Sequence, residues 1–308
     1  VHGAVASSAT LDAMPSYTGF DAQLRRTVGP ACADALSRAA RELDGLLAQP
    51  ARRAAAKAAF GAEALRDGDL RLLLGDAHAM AVQYGYKELV CGPMVAAARA
   101  GRDLVAALAN YTTSFFYPTL EQGGAREYAT EYLAGLHVDP ATTGRQWRYQ
   151  QCAELGWFAN AAPSEPVRSP WLTEAYQREA CELIFGKGVW PDTASVNRHY
   201  GGRAPAVTNV FFSHGVEDPW QHVGVRRSLS ASAPARVAEC GGCSHCVDLR
   251  HMTEEDPPQL KALRAEIGQH VRWWLEAAAA RRRPSRAGVI AAEAVPWRGS
   301  LQEVAAPY

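Results

Sequence analysis

No stretch of this 308-residue chain stays apolar for the roughly 20 residues that a helix needs to cross a bilayer, so none reads as a membrane span. An excess of charge is equally missing. Lys and Arg number 32, Asp and Glu 32, and such a balance offers no field to a nucleic acid or an anionic lipid surface. No repeat of fixed length runs along it, which argues against a helical-array binding module. There is no initiator methionine, and the opening Val1-His2-Gly3-Ala4-Val5-Ala6 has neither a basic region nor the long apolar region of a secretion signal. The expectation is a soluble piece of a longer chain that begins inside an apolar segment.

What is present suffices for a large core: 48% of residues are hydrophobic, and the length exceeds the roughly 100–200 residues of a usual single domain, so one large or two intimate domains are expected. Residues 1–9 read as a short buried strand ending in the small residues Ala6-Ser7-Ser8-Ala9. From about residue 20 to 190 the spacing predicts helices over 33–47, 51–65, 70–84, 94–108 and 172–185. After Tyr200-Gly201-Gly202 the texture changes. Residues 207–212 are β-branched and aromatic between glycine turns, 236–239 read as another strand, and 260–280 as an amphipathic helix burying Ile267, Val271, Trp274 and Leu275. Strand, turn, strand and helix at this spacing suit the end of an α/β sheet. The stretch from Arg281 to Tyr308 reads as a loosely held tail.

Seven cysteines are present, four scattered and three crowded as Cys240-x-x-Cys243-x-x-Cys246 around His245. That cluster has the local spacing of half a zinc site, but no distant segment offers a second ligand pair, so neither metal nor other cofactor is expected. Asn110-Tyr111-Thr112 is a glycosylation sequon, relevant if the protein enters the secretory route.

The chemistry gathers where the two late strands end. The first runs into Gly215-Val216-Glu217-Asp218-Pro219-Trp220, the second into Gly241-Gly242-Cys243-Ser244-His245-Cys246-Val247-Asp248-Leu249. Separately, Asp218 is an ordinary turn residue and His245 an ordinary loop histidine. Together they have the order and spacing of the acid and histidine of a hydrolase triad, in which a carboxylate fixes the imidazole tautomer while the other ring nitrogen takes a proton from serine.

Longer stretches carry a resemblance. Thr208-Asn209-Val210-Phe211-Phe212-Ser213-His214-Gly215-Val216-Glu217-Asp218-Pro219-Trp220 and Ser244-His245-Cys246-Val247-Asp248-Leu249-Arg250 resemble the serine peptidase family that includes lysosomal Pro-X carboxypeptidase, dipeptidyl peptidase II and thymus-specific serine protease. Trp147-Arg148-Tyr149-Gln150-Gln151-Cys152-Ala153-Glu154 is similar to its Trp-x-Tyr-Gln-x-Cys-Thr-Glu, with Ala153 in place of threonine. Val1 to Ala9 resembles the strand after the nucleophile helix, and Gly29-Pro30-Ala31-Cys32 the family's entry to a helical cap.

The resemblance implies an α/β fold: the C-terminal part of an α/β-hydrolase sheet with a large inserted helical cap. Residues 1–15 would be the strand after the nucleophile helix, 16–200 the cap, 201–280 the part carrying acid and histidine, and 281–308 the tail. It implies a serine-type exopeptidase working through an acyl-enzyme, with Asp218 as acid and His245 as base, and cleavage after proline or a small apolar residue. Trp220, Trp147, Tyr149 and Trp157 would wall the substrate pocket, with Gln150 and Glu154 orienting substrate or cap and Arg148 meeting a substrate carboxylate. The family's nucleophile lies in a Gly-x-Ser-x-Gly elbow, and no such pattern occurs in the 308 residues. Ser7 and Ser8 match packing residues, Asp248 a loop-bracing residue. The isolated chain is therefore expected to be inactive, and a catalytically inactive relative or peptide-binding protein of the same fold is the alternative. The family's pairing implies a Cys152–Cys181 disulfide. Cys32–Cys91 is a second pairing, although the family partner nearest Cys32 falls at Asn160. At least one cysteine must stay unpaired. A peptide substrate, a homodimer, and a secreted or lysosomal and vacuolar location complete the expectations, with no nucleic-acid or membrane partner.

Overall fold

A computed structural model describes residues 2–140 and 142–282. Strands β1 (Ala4–Ser7), β2 (Val210–Gly215) and β3 (Ala235–Ala238) form one parallel sheet in the order β1-β2-β3. The register sets Ser7 opposite Ser213 and Gly215 opposite Ala238, so all three strands end at one edge. β2 is central and buried from Phe211 to Gly215. That explains its unbroken apolar texture, since a parallel strand covered on both faces has no solvent side to alternate with. The strand begins at Val210 rather than at Val207, because Asn209 takes a φ of 56° that no ladder residue adopts.

Helices fill the long connection between β1 and β2. α1 (Thr18–Leu47) starts well before Ala33 and bends at Gly29-Pro30, where proline removes a backbone donor. α2 spans Pro50–Ala58, not 51–65, and α3 spans Asp67–Gln83. The single helix expected over 94–108 is two, α4 (Lys87–Arg99) and α5 (Leu104–Tyr111). Gly101, with a φ of 62°, reverses the chain, and the Asp103 side chain then caps α5 by accepting the Ala106 N–H at 2.9 Å. π-helical turns follow at Thr112–Leu120 and Gln151–Leu155 around the short α6 (Thr130–Ala134) and α7 (Gly144–Gln150). α8 (Glu174–Phe185) and α9 (Thr193–Tyr200) complete the region. One apolar core joins α1, α3, α4 and α5 through Leu36, Leu43, Leu73, Met94 and Leu108. Asn110 is exposed at the end of α5, while Thr112 of its sequon is buried.

α10 (Pro258–Arg282) packs on the sheet through Leu260 and Leu263 against Phe211, with Ile267 and Trp274 partly buried beside them. Leu275, expected on the buried face, is 64% exposed, because the packing contact lies in the first half of the helix. The helix takes in Arg281 and Arg282, which the sequence pattern assigns to the tail; the rest of that tail, 283–308, lies outside the described residues.

Cysteines pair as Cys32–Cys91, Cys152–Cys181 and Cys240–Cys243, leaving Cys246 free. The first ties α1 to α4 and the second ties the α7 turn to α8 across 29 residues of sequence. Replacing both Cys152 and Cys181 by alanine is expected to lower stability by about 3.5 kcal/mol, the chain-entropy value for a loop of that length, read as a lower urea midpoint. An unchanged midpoint would mean that the bridge constrains nothing in the unfolded chain.

Candidate active site

A parallel sheet offers its carboxyl edge to ligands. Asp218 lies in the loop just past β2 and His245 in the loop past β3, so both reach that edge. The loops meet because Gly215 lacks a side chain: a Cβ there would stand 2.1 Å from the Cys243 carbonyl oxygen. The Asp218 carboxylate is wholly buried and spans the His245 Nδ1 at 3.0 and 3.1 Å. Its Oδ1 also accepts the Trp220 N–H at 2.9 Å, capping the short 3-10 turn Pro219–Val223, so the carboxylate is fixed before it meets the ring. The His245 backbone N–H donates to the Gln83 carbonyl at the end of α3, at 2.9 Å. The imidazole is thus held between the sheet edge and the helical region, with Tyr84 edge-on to it.

Neighbouring polar groups have other work. Asp248 accepts from the Ser7 hydroxyl at 2.5 Å and the Ser213 hydroxyl at 2.8 Å, bracing the loop to β1 and β2 rather than pairing with His245. The Ser8 hydroxyl accepts the Cys246 N–H at 2.8 Å. Both serines at the end of β1 are therefore engaged in holding this loop. His251 is exposed.

Burial alone would lower the His245 pKa, but the hydrogen bond to Asp218, then interaction with Cys246, outweigh it and push the ring up to about 10. The same pairing lowers the Cys246 thiol against the effect of its own burial. The Asp218–His245 unit therefore stabilises the imidazolium, the form a general base passes through when it holds a proton.

His245 and Trp220 open onto a cavity of about 850 Å³. The Trp220 indole donates to the Gln83 side chain at 2.8 Å and lies against Tyr17, Phe20 and Trp157. Trp157 stacks on Trp147, and both line the cavity. Arg148 is buried in the cavity wall, its guanidinium donating to Gln177 at 2.7 Å and lying over the Phe158 ring. Three expected pocket residues are not brought into this wall. Tyr149 turns outward and meets Phe185 edge-on, while Gln150 and Glu154 are exposed. The reason is helical geometry: 147, 148 and 151 share one face of α7 and its continuation, 149 and 150 fall away from it, and the wider π-helical turn over Gln151–Leu155 rotates Glu154 off the face that a plain α-helix would give it.

Sequence reasoning missed Gln83, which positions both the histidine loop and Trp220, and the carboxylates Asp69, Asp76, Glu121 and Glu127, which also line the cavity. A signal existed for part of this set. Asp69, Asp76 and Gln83 recur every seven residues, which places one polar stripe along a single face of α3.

The parallel sheet, with Asp218 and His245 at its carboxyl edge and helices around it, is of the mixed α/β kind. The sequence pattern of the serine carboxypeptidase S28 family matches residues 1–267, and the chain belongs to that family. It is 30% identical over 89% of its length to a probable serine protease EDA2 of Arabidopsis thaliana, covering 58% of that protein. It is 29% identical over 90% of its length to the thymus-specific serine protease of Mus musculus, covering 59% of it. The lysosomal Pro-X carboxypeptidase of Bos taurus is 26% identical over 42% of the chain, which covers 26% of that protein. The chain thus spans somewhat under three fifths of the length of the first two relatives.

In an NMR titration of the chain, His245 is expected to stay protonated through neutral pH and to release its proton near pH 10, and Asp218→Asn to lower that value. Because the folded pKa is raised, the pair's contribution to stability is complete below the unfolded value of about 6.5 and is lost as pH rises through about 10. A His245 signal that titrates near 6.5 in both forms would contradict the pairing.

Proposed function

We propose that the chain is the acid-and-base part of a serine exopeptidase, with Asp218 as the acid and His245 as the base. The nucleophilic serine comes from chain outside residues 1–308, and the helical region over 16–200 caps the cleft. The observation that carries this reading is the buried Asp218 carboxylate on the His245 Nδ1, at the sheet edge and beside the cavity. With Nδ1 committed, Nε2 is left to take the proton from the serine hydroxyl as its oxygen attacks the scissile carbonyl. The proton then passes to the leaving amine as the carbon–nitrogen bond breaks, giving an acyl-enzyme. Water repeats the sequence, losing a proton to His245 and releasing the acid.

An imidazole must be neutral to accept a proton, and desolvation is the influence that lowers the His245 pKa. Closing the cleft under the remainder of the protein adds desolvation, so the working base titrates lower in the full-length enzyme than in this chain. Trp220, Trp157 and Trp147 supply flat apolar surface suited to proline or a small apolar residue on the acyl side of the bond. Three disulfides favour an oxidising compartment, and with the lysosomal relatives they support a secreted or lysosomal location.

Steady-state kinetics of the full-length protein test the assignment. Asp218→Asn, which keeps an oxygen to cap Trp220, is expected to lower kcat by about 10⁴ with little change in KM, and His245→Ala to remove acyl-enzyme formation. Activity within tenfold of wild type in either variant would rule out these roles for the pair.

A further inference from the structure

One hydroxyl at the reactive end of the cavity still has its hydrogen to give. Gln83, Tyr84, Trp220 and His245 line that end together. The Trp220 indole can only donate, and it gives its N–H to the Gln83 side-chain oxygen at 2.8 Å. That contact decides which way the buried Gln83 amide faces. Its nitrogen end reaches the Tyr84 hydroxyl, an interaction that on its own lowers the phenol's pKa, as a donor to the phenol oxygen does. A hydroxyl that accepts from Gln83 must turn its own hydrogen elsewhere, and among the described residues no hydrogen bond takes it. The nearby Asp218 carboxylate is already spent on the His245 ring and the Trp220 N–H. Tyr84 is half-buried, its ring edge-on to the imidazole with centroids 6.3 Å apart.

Backbone contacts hold this hydroxyl in place relative to the imidazole. The Tyr84 carbonyl accepts from the Arg250 guanidinium at 2.9 Å, and the Gln83 carbonyl accepts the His245 N–H at 2.9 Å, so the end of α3 is stitched to the histidine loop on both sides. Burial raises the phenol's pKa; the Gln83 amide opposes that rise, and the charges of Cys246 and Asp218 add to it, so the group stays O–H at neutral and acid pH. Trp220, Gln83 and Tyr84 donate in one direction, each bond polarising the next. A donor fixed in advance of the reaction is what a developing negative charge requires. We propose that Tyr84 is a further catalytic residue, its hydroxyl donating a hydrogen bond to the oxygen of the scissile carbonyl. This rests on the reading of Asp218 and His245 as the catalytic pair. As the serine oxygen bonds to the carbonyl carbon, its proton passes to the His245 Nε2 and the carbonyl π pair moves onto oxygen, where Tyr84 holds it without giving up its own proton. When the carbon–nitrogen bond breaks, the pair returns and the hydrogen bond weakens.

The test is hydrolysis of Ala-Pro-Ala by the full-length protein, a peptide cut after proline whichever end the enzyme works from. Tyr84→Phe keeps the ring and is expected to lower kcat about 100-fold, with KM changed less than about threefold. Affinity for Ala-Pro trifluoromethyl ketone, whose hemiketal with the serine carries an oxyanion at that place, should fall by the same factor. Calorimetric binding of Ala-Pro-Ala to His245→Ala protein, where no charge develops, should be unchanged when Tyr84→Phe is added. A kcat within about threefold of wild type, a rise in KM alone, or a loss of kcat without a matching loss of ketone affinity would overturn the proposal. So would weaker ground-state binding in the double variant, which would make Tyr84 a packing residue of the pocket. Hydrolysis that survives His245→Ala would instead defeat the catalytic reading, and the role of Tyr84 with it.

Discussion

The buried carboxylate of Asp218 on His245 is the contact around which the remaining parts are arranged. The parallel register brings β2 and β3 to one edge, Gly215 lets the two loops touch, and Asp248 ties the histidine loop back to Ser7 and Ser213. The helical region contributes the last restraint, the Gln83 carbonyl that accepts the His245 N–H. A carboxylate with no solvent exposure is costly to leave unpaired. Its two partners, the ring and the Trp220 N–H, are therefore as much a condition of this fold as a preparation for chemistry.

From that contact the cavity divides by chemistry. Near the histidine, Tyr17, Phe20, Trp157 and Trp220 make an aromatic cluster. Beyond it along α3 the wall turns acidic, with Asp76 and Asp69 on the same helical face.

Much of the sheet and the pair was legible in the sequence, because the signals are local in the chain. A β-branched, aromatic run ending in Gly215 and a glycine-rich run around His245 announce two strand ends, and Cys152 with Cys181 lay inside recognisable segments that the structure joins. What failed were readings that treated a linear motif as a surface. Trp147 and Arg148 face the cavity, but Tyr149, Gln150 and Glu154 do not, since a helix divides consecutive residues between opposite sides. Periodicity likewise ran across the break at Gly101, where both flanks are helical and only the turn differs. The acidic corner was hidden because its members come from separate segments and meet only through tertiary packing; the seven-residue stripe on α3 was its single local trace.

Whether His245 activates a serine lying outside residues 1–308 is decided by mapping the covalent adduct of a fluorophosphonate on the full-length protein. One labelled serine is expected, in a Gly-x-Ser-x-Gly segment preceding Val1, with labelling abolished by His245→Ala. Adduct on Ser7 or Ser8, or labelling that persists without His245, would contradict that role.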